Sequence, residues 1–269
     1  MSSATPVALP GTAGRRRTAR LLRALIGACA VLLPAVLSGC GGSSGPAPVT
    51  VFAAASLQPA FTRIAEEFRG RHPGTALELS FAGSSELATQ LTEGARADVF
   101  ASANGAQMAR VGDAGLLAGK AVPFASNTLV IVTAPGNPKG VESFADLARP
   151  GLAVVRCQQP VPCGSAAQRI EDSTRVRITP VSEEPDVTDV LNKVISGQAD
   201  AGLVYQTDAI SAQNKVATVK FPEAADAVNT YPIAVLKDAP QPGPAQDFVN
   251  LVTGEAGQRI LRAAGFAEP

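Results

Sequence analysis

Serines stand at the places where this chain could do chemistry. Thr50-Val51-Phe52-Ala53-Ala54-Ala55-Ser56-Leu57 and Phe81-Ala82-Gly83-Ser84-Ser85-Glu86-Leu87 each read as a short apolar strand running into a hydroxyl-bearing turn and then a helix. A helix start has unpaired backbone N–H groups and the positive end of the macrodipole, so it draws anions. Two such starts, each with a serine at its mouth, point to holding an oxyanion rather than to covalent chemistry. Val161-Pro162-Cys163-Gly164-Ser165 and Glu184-Pro185-Asp186-Val187 repeat the strand, turn, helix order. In open α/β sheets, ligands collect at the carboxyl ends of strands, where such turns lie. Each turn alone is ordinary helix capping.

An exported hydrolase with Ser56 or Ser84 as nucleophile is the rival from the enzyme class. It needs a base, yet the single histidine, His72, precedes Pro73-Gly74 in an apparent turn and reads as an exposed loop residue. Neither Ser56 nor Ser84 sits in a G-x-S-x-G elbow. Nucleotide, zinc-protease and C-x-x-C signatures are missing too, so no cofactor is expected.

The elements that must position these turns alternate in type. Strands are expected at Val49–Ala54, Ala76–Phe81, Asp98–Ser102, Thr128–Thr133, Leu152–Val155, Arg177–Pro180, Ala201–Val204, Val216–Phe221 and Ile233–Leu236. Several are apolar without alternation, as in strands buried on both faces. Helices are expected at Pro59–Arg69, Glu86–Glu93, Asn104–Ala109, Ser143–Leu147, Ala166–Glu171, Val187–Ser196 and Ala245–Ala264. The alternation is that of an α/β fold with mainly parallel sheet.

The front of the chain reads as an address. Residues 1–39 hold five arginines and no acidic residue, followed by the short apolar run Ala24 to Leu37 and Leu37-Ser38-Gly39-Cys40. This reads as a secretory signal of the bacterial lipoprotein type, with Cys40 expected as the lipidated new N-terminus and a Gly/Ser/Pro tether to residue 48; an ordinary signal with a chance cysteine is the other reading. Without the signal the balance is 18 basic against 23 acidic residues. An acidic domain is a poor partner for nucleic acid. Of four cysteines, Cys29 leaves with the signal and Cys40 takes the lipid. Cys157 and Cys163 then read most simply as a disulfide closing a small loop, with half a zinc site or a free redox thiol pair as the other readings. Asp98 reads as structural, and Asp186 as a helix-start residue facing away from a site.

On Val51-Phe52-Ala53-Ala54-Ala55-Ser56-Leu57, Phe81-Ala82-Gly83-Ser84-Ser85, Ala97-Asp98-Val99-Phe100-Ala101-Ser102-Ala103, Gly202-Leu203-Val204-Tyr205-Gln206-Thr207-Asp208-Ala209 and Tyr231-Pro232-Ile233-Ala234-Val235, the chain resembles the substrate-binding proteins of molybdate ABC transporters. The resemblance spans residues 49–269. It implies a type II periplasmic-binding-protein fold: lobe 1 from 49–128 and 229–269, lobe 2 from 129–228, and a two-strand hinge. It implies molybdate or tungstate as ligand, held by Ser56 and Ser84, by backbone N–H groups of Cys163 and Val187, and by the phenol of Tyr205. It also implies an ABC permease and its ATPase as partners of a monomeric, membrane-anchored, extracytoplasmic protein. Two positions depart from the family pattern. Better-known members carry alanine at Cys163, and some carry a serine at Gly83, which leaves Ser84 as the expected contact. Type II binding proteins for sulfate, ferric iron or an organic anion are the near alternatives; two tyrosines are few for iron.

Overall fold

The computed structural model describes residues 47–269. The expected signal, Cys40 and most of the tether lie outside the described residues. Two five-stranded sheets carry the chain. The first contains β1 (Val49–Ala54), β2 (Leu77–Ala82), β3 (Val99–Ala101), β4 (Val122–Asn127) and β10 (Asn229–Val235), in the order β2-β1-β3-β10-β4. The second contains β5 (Leu129–Thr133), β6 (Val154–Cys157), β7 (Ser182–Glu184), β8 (Ala201–Tyr205) and β9 (Ala217–Val219), in the order β7-β6-β8-β5-β9. Within each sheet two pairings are parallel and two antiparallel, so the sheets are mixed rather than mainly parallel. The antiparallel half comes from the connecting strands. Thr128 alone separates β4 in one sheet from β5 in the other, and β10 brings the chain back to the first sheet.

Period-2 geometry sorts the first sheet's side chains between two cores. Val51, Ala53, Val99, Ala101 and Ile233 face α1 (Gln58–Arg71), α7 (Pro242–Thr253) and α8 (Glu255–Ala263), where Phe61, Phe68 and Phe248 meet edge-on with ring centroids 5.7 Å apart. Phe52, Phe100 and Ala234 face α2 (Ser84–Thr92) and α3 (Gly105–Asp113), against Leu87, Leu91, Met108 and Val111. The second sheet packs in the same way with α4 (Pro162–Thr174) and α5 (Val187–Ile195); α6 (Gln206–Ala212) follows β8 directly. Among the described residues, no helix is long and apolar enough to cross a membrane.

Differences from the sequence reading have local causes. β4 escaped notice because Pro123 looks like a breaker. It is an edge strand, and its partner shifts register between Tyr231 and Pro232, so neither proline has to donate in a regular ladder. Arg177–Pro180 is not a strand; the Ile178 N–H is taken by Glu171 Oε1 at 2.7 Å, and the edge strand forms later, at β7. Ser143–Leu147 tightens into the 3₁₀ turn Ala145–Ala148, and Ala245–Ala264 is two helices broken at Gly254. The seven-residue α6 was missed because Thr207, Asp208 and Ser211 give it little helical propensity. Cys157 and Cys163 are joined as a disulfide at the β6–α4 turn. His72 caps the end of α1 as a half-buried side chain stacked on Phe68 with centroids 4.3 Å apart, rather than as a free loop residue.

Candidate functional site

The sequence-predicted contacts converge. One cavity is bordered by Ala54, Ala55, Ser56, Gly83, Ser84 and Ala103 from the first-sheet half, and by Val161, Pro162, Cys163, Asp186, Val187 and Tyr205 from the second. All five expected ligand residues line it, and all are buried. It is small and held shut across the junction. Gln107 Nε2 on α3 donates to the Pro160 carbonyl at 3.1 Å. Gly83 meets the β7–α5 turn so closely that a Cβ there would sit 2.3 Å from the Pro185 carbonyl oxygen. A side chain at this position could not fit this approach, which gives Gly83 a physical reason.

Helix starts supply the polarity. The 3₁₀ turn Ala55–Leu57 leading into α1, and helices α2 and α4, begin without any N-cap side chain accepting their first N–H groups. Their open ends therefore border the cavity with donors to spare. α5 differs: Asp186 Oδ1 accepts the Asp189 N–H at 3.0 Å. Asp186 is thus the helix-start residue the sequence suggested, with its carboxylate turned onto its own helix, although the residue itself borders the cavity. Asp98 is structural: its carboxylate accepts the N–H groups of Thr50 at 2.8 Å and Gln241 at 2.6 Å.

The hydroxyls are each engaged from behind. Ser84 Oγ accepts the Ala103 N–H at 3.0 Å, which leaves its own proton to donate. Ser56 Oγ lies 3.0 Å from Tyr231 Oη, and Asn127 Nδ2 approaches that phenol at 3.5 Å. Tyr205 Oη accepts from Asn229 Nδ2 at 2.7 Å. Burial pushes both phenols well above their ordinary pKa, so they stay protonated donors. Among the described residues, no lysine, arginine or histidine borders the cavity. A serine nucleophile would have no base beside it here, and the thiols of a redox reading are consumed in the disulfide. Tyr231, Asn127 and Asn229 were not identified as site residues from sequence. Their only signal is a polar residue within an otherwise apolar strand or at its end.

Residues 49–267 match the family described as bacterial extracellular solute-binding protein. The chain belongs to that family. It is 60% identical over 252 residues, covering 94% of this chain and 96% of the relative, to the molybdate-binding protein ModA of Mycobacterium tuberculosis H37Rv. Among solved structures it is similar to the periplasmic molybdate-binding protein of Azotobacter vinelandii, with a TM-score of 0.69 and 23% identity over 82% of this chain and 99% of that one. The sulfate-binding protein SubI of M. tuberculosis H37Rv gives 0.70 and 21%, over 82% and 86%. Both likenesses show the two-lobed α/β fold alone, and SubI shows that fold does not choose among oxyanions. The family is one of binding proteins, so the chain is a solute carrier rather than an enzyme.

Asp208, at the third position of α6, accepts the Tyr205 N–H at 3.0 Å. Burial, with Asp186 nearby, pushes its carboxyl up to about 7. A folded value above the unfolded one means that its contribution to stability is full below about pH 4 and is lost as pH rises through about 7. Asp208→Asn keeps an acceptor for Tyr205 but does not titrate. In urea unfolding, wild type loses stability relative to Asp208→Asn between about pH 4 and 7, and the difference levels off above. A difference that stays flat over that range would show Asp208 to be ionised throughout. Separately, Gly83→Ala is expected to weaken ligand binding by about tenfold or more in calorimetric titration, because its Cβ would sit 2.3 Å from the Pro185 carbonyl oxygen and push the β7–α5 turn away from the cavity.

Proposed function

We propose that this protein captures molybdate, and tungstate, between its two halves and delivers it to an ABC permease driven by its ATPase. The contacts are the hydroxyls of Ser56, Ser84 and Tyr205 and the backbone N–H groups of Cys163 and Val187. The reading makes 49–128 with 229–269 one lobe and 129–228 the other, with the strands through Thr128 and β10 as hinge. It places the protein outside the cytoplasmic membrane as a monomer tethered through lipid on Cys40.

The observation that carries the reading is a buried cavity of hydroxyls and open helix starts with no cationic side chain among the described residues. Molybdate is a proton-free dianion near neutral pH, so it accepts hydrogen bonds and donates none. Neutral donors fixed in place serve it without the desolvation cost of a buried ammonium or guanidinium. Hydrogen phosphate keeps a proton and would need an acceptor, yet the carboxylate that borders the cavity, Asp186, directs Oδ1 to its own helix. Within the proton-free oxyanions, molybdate rather than sulfate follows from the 60% identical relative named as a molybdate-binding protein. Closure of the halves on the ligand would then present the shape that the permease reads.

Thermal unfolding with molybdate, tungstate, sulfate and phosphate at equal concentration tests this. A ligand at 100 times its dissociation constant adds about 2.7 kcal/mol. The midpoint should rise with molybdate and tungstate and stay put with sulfate and phosphate. Ser84→Ala should cut the molybdate stabilisation by about 1–3 kcal/mol, the value of a charge-assisted hydrogen bond. No shift with the two metal oxyanions would reject the reading.

A further inference from the structure

A phenol can meet an anion either as donor or, wrongly, lone pair first. Tyr205 is held to one choice by Asn229 and Arg169, neither of which borders the cavity. Its oxygen accepts from Asn229 Nδ2 at 2.7 Å, and the other hydrogen of that amide goes to the Pro162 carbonyl at 3.1 Å. On the far side, Arg169 donates to Asn229 Oδ1 at 2.8 Å and to the Ala227 carbonyl at 3.1 Å. A guanidinium has donors only, and a carbonyl is an acceptor only. Flipping the Asn229 amide would set N–H against N–H at Arg169 and oxygen against oxygen at Pro162. The amide orientation is therefore fixed, and with it the direction of the bond into Tyr205. The phenol oxygen already accepts, so its own proton must point elsewhere, and Tyr205 borders the cavity.

We propose that Asn229, locked by Arg169, is a positioning residue that makes Tyr205 an obligate donor and so selects anions carrying no proton at that contact. The inference rests on the reading of Tyr205 as a ligand contact. Asn229 is 2% exposed, and the guanidinium that locks it comes from the outer part of α4. Asn229 begins β10, where the chain returns to the first sheet, so the same residue that orients the donor ties that strand to the second half at Pro162. Two links in series, each with a forced direction, leave the phenol proton free for the cavity.

The test is calorimetric titration of wild type, Asn229→Leu, Tyr205→Phe and the double variant with molybdate, tungstate, sulfate and hydrogen phosphate. Asn229→Leu should weaken the dianions by about tenfold in the Tyr205 background and by less than about twofold in the Tyr205→Phe background. An equal loss in both backgrounds would make Asn229 merely structural and overturn the proposal. Asn229→Asp, which keeps the Arg169 contact, offers the phenol an acceptor and turns its proton away from the cavity. Its molybdate affinity should fall by about a hundredfold, and its affinity for hydrogen phosphate by less. An unchanged ratio between the two anions would also overturn it. Outcomes for the wild type separate the two readings. Binding of sulfate rather than molybdate, with the Asn229–Tyr205 coupling intact, would sink the metal-oxyanion assignment and leave the relay standing. A wild-type preference for hydrogen phosphate, or no effect of Tyr205→Phe on any anion, would sink the relay.

Discussion

A hydroxyl buried without a cation beside it can serve an anion only if its proton is aimed, and aiming it needs a donor behind the oxygen. At the junction of the two sheets this requirement is met at Ser84 and Tyr205 with groups that can only donate. A main-chain N–H stands behind Ser84, and an amide held by an arginine stands behind Tyr205. A wrongly turned hydroxyl here would cost twice, once as a lost bond and once as a lone pair facing a dianion. That constraint explains why neutral groups suffice where a charged side chain would be the obvious choice.

The fold makes such aiming possible because it brings the backs of the hydroxyls onto the connecting strands. Asn127 ends β4 immediately before the chain crosses at Thr128, and its amide donates to Thr207 at 2.8 Å while its oxygen accepts the Thr128 N–H at 3.1 Å. Asn229 stands at the start of β10 on the return. Tyr231, two residues on, packs edge-on against Tyr205 with ring centroids 5.9 Å apart and reaches Ser56. The strands that join the halves therefore also carry the groups behind the donors. The Asn229–Pro162 bond and the Gly83–Pro185 approach both join first-sheet residues to turns of the second half.

Much of this was legible in the chain. The strand, turn, helix punctuation around Ser56, Ser84, Cys163 and Val187 is local, and local patterns survive into structure; all four residues border one cavity. The paired cysteines, six residues apart, were legible for the same reason. The polar residues behind the hydroxyls were not. Asn229 meets Arg169 and Tyr205 across 60 and 24 residues, and nothing in a lone asparagine announces its partners. β4 hid behind Pro123, and its existence depends on a bulge in β10 that only pairing reveals. Gly83 looked like a missing serine; the approach of Pro185 that requires it belongs to a different part of the sequence.

The most direct test of the central claim is an anomalous-difference map, recorded at the molybdenum absorption edge, from crystals grown with molybdate. The account predicts one strong peak within hydrogen-bonding reach, through its oxygens, of Ser56, Ser84 and Tyr205 and of the N–H groups of Cys163 and Val187. It also predicts Asn229 Nδ2 still donating to Tyr205. A peak instead in the separate cleft behind Ser56, beside Arg63 and Thr207, would contradict it, because the anion would then be held by a cation and not by aimed neutral donors.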